Sequence, residues 1–169
     1  MLQRRVQFVL CYGHGGAPNR LDEEDYPMVV LGADQLVPVA AAAADGAPLV
    51  RLEAPGILPL LGYSEASGLG RLVQLSLNRL RKQAGSGSGA GGLSVVFTAH
   101  SATLLKSMAL AGRGLAWLPR SLVADELARG QLVPAGGEAW CHPLEIRLYR
   151  QRWELAAGAE ALWREMRGI

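Results

Sequence analysis

This chain is poor in the residues that usually announce chemistry. Of its 169 residues only two are cysteine and three are histidine. Cys11 and Cys141 lie far apart, with neither C-x-x-C spacing nor a second ligand pair, which excludes a thioredoxin-type motif and a structural zinc site. Buried free thiols are the ordinary reading, and a redox pair would require folding to bring them together. His14, His100 and His142 show neither H-x-x-x-H nor H-x-x-E-H spacing, so no metal site is expected. Neither Ser64 nor Ser101 sits in a G-x-S-x-G elbow, and adjacent His100 and Ser101 do not make a triad. Gly68-x-Gly70 lacks the third glycine and the downstream acid of a dinucleotide fingerprint. No enzyme activity and no cofactor are expected.

Long apolar runs are missing too. Nothing approaches the ~20 residues of a membrane helix, and Arg4 and Arg5 precede too short an apolar run for a signal peptide. A cytoplasmic protein with no membrane partner is the expectation. Charge of one sign is also scarce: 17 basic residues are interleaved with 15 acidic ones, for a net charge of +2. No segment combines a basic face with a reading helix, which argues against duplex recognition by these residues. With 50% hydrophobic and 19% charged residues, the chain has the composition of a globular protein rather than a disordered one.

The clearest pattern runs from Leu93 to Val133. Val95, Val96 and Phe97 form a short strand between a glycine-rich loop and Thr98 and Ser101, residues suited to helix N-caps. Leu104, Leu105 and Met108 recur at helical spacing over 102–110, and Gly112 supplies a left-handed helix end. Leu115, Ala116, Trp117 and Leu118 form a second apolar strand, and Pro119 suits the first turn of a helix running through Arg129. The product is a β-α-β-α unit. Such units form parallel sheets, whose ligands collect beyond the carboxyl ends of strands and beside helix N-termini.

Elsewhere, 6–12 reads as a buried strand ended by Gly13, His14, Gly15 and Gly16, and 28–31 and 36–42 as two adjacent strands. A turn at Asp45-Gly46 leads to a strand over 57–63. The stretch 64–70 opens a helix to about Lys82, striped by Leu69, Leu72, Val73, Leu77 and Leu80; Arg71, Arg79, Arg81 and Lys82 form its solvated face. Residues 82–92 are a low-complexity connector. A loop over 134–138, a strand over 144–149 and a helix over 155–166 complete the chain, the last with Leu155, Ala159, Leu162, Trp163 and Met166 inward.

The run SATLLKSMALAGRGLAWLPRSLVADELARGQLV resembles the second regulatory subdomain of LysR-type transcriptional regulators, with Gly112, Gly114, Leu118, Pro119 and Gly130–Leu132 carrying the match. Leu36, Val37 and Val39 fit the strand that crosses the hinge in that family. The resemblance implies an α/β fold of two Rossmann-like lobes joined by crossing hinge strands, of periplasmic-binding-protein-like type II. The subdomains would be 1–38 with 136–169, and 39–135. The family's winged helix-turn-helix and the opening of its first subdomain have no counterpart here, so the first lobe is expected to be incomplete. A bare strand edge there could pair with a second copy.

The implied function is an effector-binding domain that binds a small molecule between its lobes and controls DNA binding by the intact regulator, a homo-oligomer touching DNA through the absent domain. A solute-binding protein of a transporter is the alternative. Ser64 and Ser67 precede one helix, and Thr98 and Ser101 another, each pair offering hydroxyls and free N–H groups to an anion; helix capping is the simpler reading of each. The resemblance puts both pairs on one wall of the effector cleft, with Cys11, Tyr12 and His14 on the other. His100 would be the charge partner of a carboxylate effector.

Overall fold

The computed structural model describes residues 6–14, 25–65, 67–84 and 92–168. The chain divides into two compact units, Met1–Asp34 with Pro143–Ile169, and Gln35–His142.

In the first unit, β1 (Phe8–Gly13) lies antiparallel to β7 (His142–Arg150), with Cys11 opposite Arg147 and Tyr12 opposite Ile146. Strand β7 lies between β1 and the strand Met28–Ala41, β2, in the sheet. Strand β2 runs unbroken over Met28–Ala41, where the sequence suggested two strands. Nothing in Gly32–Gln35 forces a turn: no glycine there has positive φ, and Asp34 is occupied by the Tyr12 hydroxyl at 3.2 Å. The last helix, α4 (Ala157–Met166), begins later than expected and is more exposed. Its one buried residue is Trp163, stacked on Phe8 at 6.3 Å with the Arg150 guanidinium 5.5 Å from its ring. Leu162, expected inward, is exposed. Arg150 is held by both oxygens of Glu160, at 2.6 and 2.7 Å. A buried guanidinium with matched acceptors thus takes the packing role that the apolar pattern had assigned to leucine.

The second unit is built around β5 (Ala116–Pro119), all four residues of which are buried. It pairs antiparallel with β2 from Leu36 to Val39, and β6 (Leu132–Pro134) continues along β2 to Ala41. Strands β3 (Ile57–Tyr63) and β4 (Gly92–Ala99) pair in parallel, so the paired neighbour of β4 is β3 and not β5, the other strand of the expected β-α-β-α unit. Leu115 joins β3 to β5, receiving a bond from Leu61 N at 2.8 Å and donating one to Pro59 O at 3.0 Å. Helix α1 (Gly68–Ala84) connects β3 to β4 and buries Leu72, Val73 and Leu77. Most of the expected low-complexity connector, 85–91, lies outside the described residues.

Helix α2 (Ala102–Leu110) spans the expected residues and closes on Gly112, whose φ is 69°. It buries Leu105 and Ala109 in one cluster with Val37, Val39, Leu61, Leu118 and Leu132. Full burial of each large aliphatic side chain contributes about 1.5–3 kcal/mol, so this cluster sets the frame from which the surrounding loops project. Pro119 ends β5 instead of opening a helix: a 3-10 turn (Arg120–Val123) intervenes before α3 (Ala124–Ala128). Lys106 fixes that segment to α2, bonding Glu126 at 2.8 Å and the Leu122 carbonyl at 3.3 Å.

Candidate functional site

Parallel pairing of β3 with β4 carries both strands to the same end of the sheet, Gly62 opposite Thr98 and Tyr63 opposite Ala99. The chain leaves β3 as Ser64 and β4 as His100, and Ser64 N still bonds Ala99 O at 3.0 Å. Ser64 Oγ lies 3.3 Å from His100 Nδ1, so a hydroxyl and an imidazole share one hydrogen bond across the two strand ends. Ser67 N donates to Ser64 O at 2.9 Å, folding the connection back into α1; Ser67 itself is buried. Gly70 permits this tight return, since a Cβ there would sit 3.0 Å from Tyr63 Cβ and 3.1 Å from Ser64 O.

Thr98 is exposed on β4, and His100 and Ser101 are exposed before α2. Ser101 occupies the N-cap position with extended backbone (φ −91°, ψ 127°), yet its side chain makes no capping bond. Neither α1 nor α2 has an acidic residue in its first turn. The partial positive charge of each N-terminus is therefore not offset from within the helix, which suits a nearby anion.

Beside Ser64 and Thr98 is a cavity of about 270 Å³ lined also by Leu60, Gly62, Glu65 and Gln74. It forms only where α1 is laid on β3 and β4, so local sequence patterns do not reveal it. Gly62 and Gly70 on its walls are the sequence signal that could have pointed there.

Tyr12 and His14 belong to the first unit. Tyr12 is half-buried and hydrogen-bonded to Asp34, and His14 follows the end of β1. Arg147 also lies at that strand end, where no local sequence pattern marks it. A Cβ on Gly13 would collide with its guanidinium, so glycine lets Arg147 lie across β1. Arg147 pairs with Glu145 at 2.6 Å and donates to Tyr149 Oη at 3.4 Å; the Tyr149 bond and Glu145 raise its pKa further. Cys11, its register partner, is half-buried and free; burial pushes its thiol pKa up while Arg147 opposes that shift. Cys141, in the second unit, is half-buried and free as well.

The second unit is an α/β domain whose parallel strands β3 and β4 end beside the starts of two helices. Residues 1–168 match the LysR substrate binding domain, and the chain belongs to that family. It is 34% identical over 147 residues to the HTH domain-truncated transcriptional regulator QseD of Escherichia coli O157:H7, covering 87% of this chain and 57% of that protein. It is 33% identical over 147 residues to the HTH-type transcriptional regulator YjiE of Escherichia coli K12, covering 87% and 46%. The chain thus spans about half the length of the curated relatives it matches. Among solved structures, the apo regulatory domain of HypT from Salmonella typhimurium aligns with a TM-score of 0.79 and 28% identity, over 99% of this chain and 74% of that one.

The fold is therefore the two-lobed, periplasmic-binding-protein-like type II fold of LysR regulatory domains. The chain is an effector-binding regulatory domain, and the transporter alternative is not favoured. Among the described residues, no helix is long and apolar enough to cross a membrane.

Proposed function

We propose that this domain senses a small-molecule anion, with a carboxylate as the favoured class, and that the intact protein uses it to control DNA binding and transcription as a homo-oligomer in the cytoplasm. The observation that carries the reading is the hydrogen-bonded pair Ser64 and His100 at the ends of two parallel strands, beside two helices with no acidic residue in their first turns. Ser64, Ser67, Thr98 and Ser101 supply hydroxyls and N–H donors, and His100 supplies its imidazole. Tyr12 and His14 are the contacts proposed for the first unit. The proposed regulatory subdomains are 1–38 with 136–169, and 39–135.

An effector acts only through its differential affinity for the arrangements the domain adopts. No residue of this scheme transfers a proton or forms a covalent bond to the ligand. The reading is tested by thermal denaturation of the chain against a panel of small mono- and dicarboxylates. A saturable rise in Tm that is lost in a Ser64→Ala, His100→Ala double variant supports it. An undiminished rise in that variant places the ligand elsewhere.

A further inference from the structure

The second unit holds another cavity, of about 230 Å³, lined by none of the residues assigned to the effector. Val37, Leu127 and Leu132 line it, and Val37 and Leu132 belong to the buried core, so the cavity meets the hydrophobic interior of the unit. Two side chains of opposite charge also line it, Arg120 and Glu138, both exposed, together with the half-buried thiol of Cys141. Arg120 opens the 3-10 turn that follows Pro119, and Glu138 opens a second such turn, Glu138–Trp140.

Both anchors are firm. Trp117 Nε1 donates to Trp140 O at 2.9 Å, and Trp140 Nε1 to Glu53 at 2.9 Å. Gln35 Nε2 donates to Glu138 Oε1 at 2.7 Å, orienting that carboxylate and leaving Oε2 for another donor. Arg120 forms no ion pair among the described residues.

We propose that this cavity binds a small zwitterion with an aliphatic body, the class of the apolar α-amino acids. The carboxylate meets Arg120, the ammonium meets Glu138, and the side chain lies against Val37 and Leu127. The paired charges decide the class. A simple carboxylate would gain Arg120 but face Glu138, and a simple amine would gain Glu138 but face Arg120. Only a ligand with both charges satisfies both groups, and guanidinium–carboxylate and carboxylate–ammonium bonds are the stronger, charge-assisted kind. The site is independent of the effector reading above.

Cys141 makes the site measurable. Its thiol is held protonated at neutral pH by burial and by Glu138, with Arg120 opposing, so alkylation is followed above pH 8. The experiment uses the whole chain with Cys11→Ser, iodoacetamide as reagent and L-leucine as probe. At ten times Kd, leucine slows alkylation of Cys141 roughly tenfold, because only the free fraction reacts. Isovalerate and isoamylamine, each lacking one charge, protect at least roughly tenfold more weakly. Arg120→Gln and Glu138→Gln lose the protection while keeping the wild-type circular dichroism spectrum, and Arg120→Lys, which keeps the cation, regains part of it.

Three results would overturn the proposal: no slowing at about 10 mM leucine, well above a millimolar Kd; equal protection by the two half-charged analogues; or loss of protection in Ser64→Ala or His100→Ala. The last would merge this site with the effector site. A carboxylate-induced rise in Tm that survives Arg120→Gln keeps the failure of either reading separate from the other.

Discussion

Ser64 and His100 are 36 residues apart in sequence, yet Ser64 Oγ and His100 Nδ1 lie 3.3 Å apart. They meet because β3 and β4 are parallel and end together, with α1 carrying the chain back between them. The pair is exposed, so its value to stability is small: a hydrogen bond contributes on the order of 0.5–1.5 kcal/mol, and less where water competes. Ser64→Ala and His100→Ala should each leave the urea midpoint within about 0.5 kcal/mol of the parent, a surface-substitution effect. A larger loss would mark the pair as structural rather than available to a ligand.

The Arg150–Glu160 pair governs the acid limb of stability in the first unit. Arg150, and the Leu155 N–H at 2.9 Å, hold the Glu160 carboxyl down to about 2, from a usual 4.5. A carboxyl depressed in the folded state stabilises above its unfolded pKa, and that contribution is lost as pH falls from about 4.5 to about 2. Glu160→Gln should therefore lower Tm most above pH 5 and converge on the parent near pH 2. A Tm deficit independent of pH would contradict the assignment.

Trp163 is the buried anchor of α4, stacked on Phe8 and under Arg150. Trp163→Ala removes that packing, and the usual cost of emptying such a site is about 3–5 kcal/mol. Leu162→Ala, one residue earlier but exposed, should cost less than about 1 kcal/mol. Chemical denaturation of both variants tests the contrast, and equal losses would mean that Leu162 is buried after all.

Two glycines separate backbone strain from collision. Gly130 has φ 66° with nothing within 4 Å of a Cβ, so Gly130→Ala carries only the left-handed penalty, about 1 kcal/mol. Gly114 has φ 157°, and a Cβ there would sit 2.6 Å from Pro59 O, in the segment where Leu115 joins β3 to β5. Gly114→Ala should be the more damaging of the two by a clear margin in Tm. The reverse order would contradict the packing described.

Local patterns made the second unit readable in advance. The spacing of Leu105 and Met108 with Gly112 gave α2, and the apolar run at Ala116–Leu118 gave β5. Longer-range facts were not visible. That β2 is one strand depends on partners supplied by β5, β6 and β7, none of them local. Leu162 matched a helical stripe, but the partner of α4 is a strand face carrying Phe8 and Arg150, which accommodates one tryptophan. Pro119 fits a strand end as well as a helix start, and only burial of the whole β5 decides between them. Of the candidate ligand residues, the strand-to-helix positions of Ser64, Thr98 and Ser101 follow from sequence order. The contact of Ser64 with His100, and the reach of Arg147 across Gly13, require strand register.

The central claim, that the ends of β3 and β4 with the starts of α1 and α2 receive a small anionic effector, is tested most directly by NMR. Isotope-labelled chain is titrated with the carboxylate that gives the largest rise in Tm. The account predicts saturable amide shifts centred on Ser64, Ser67, Thr98, His100 and Ser101, abolished by Ser64→Ala with His100→Ala. Saturable binding that leaves those five amides unmoved would contradict it.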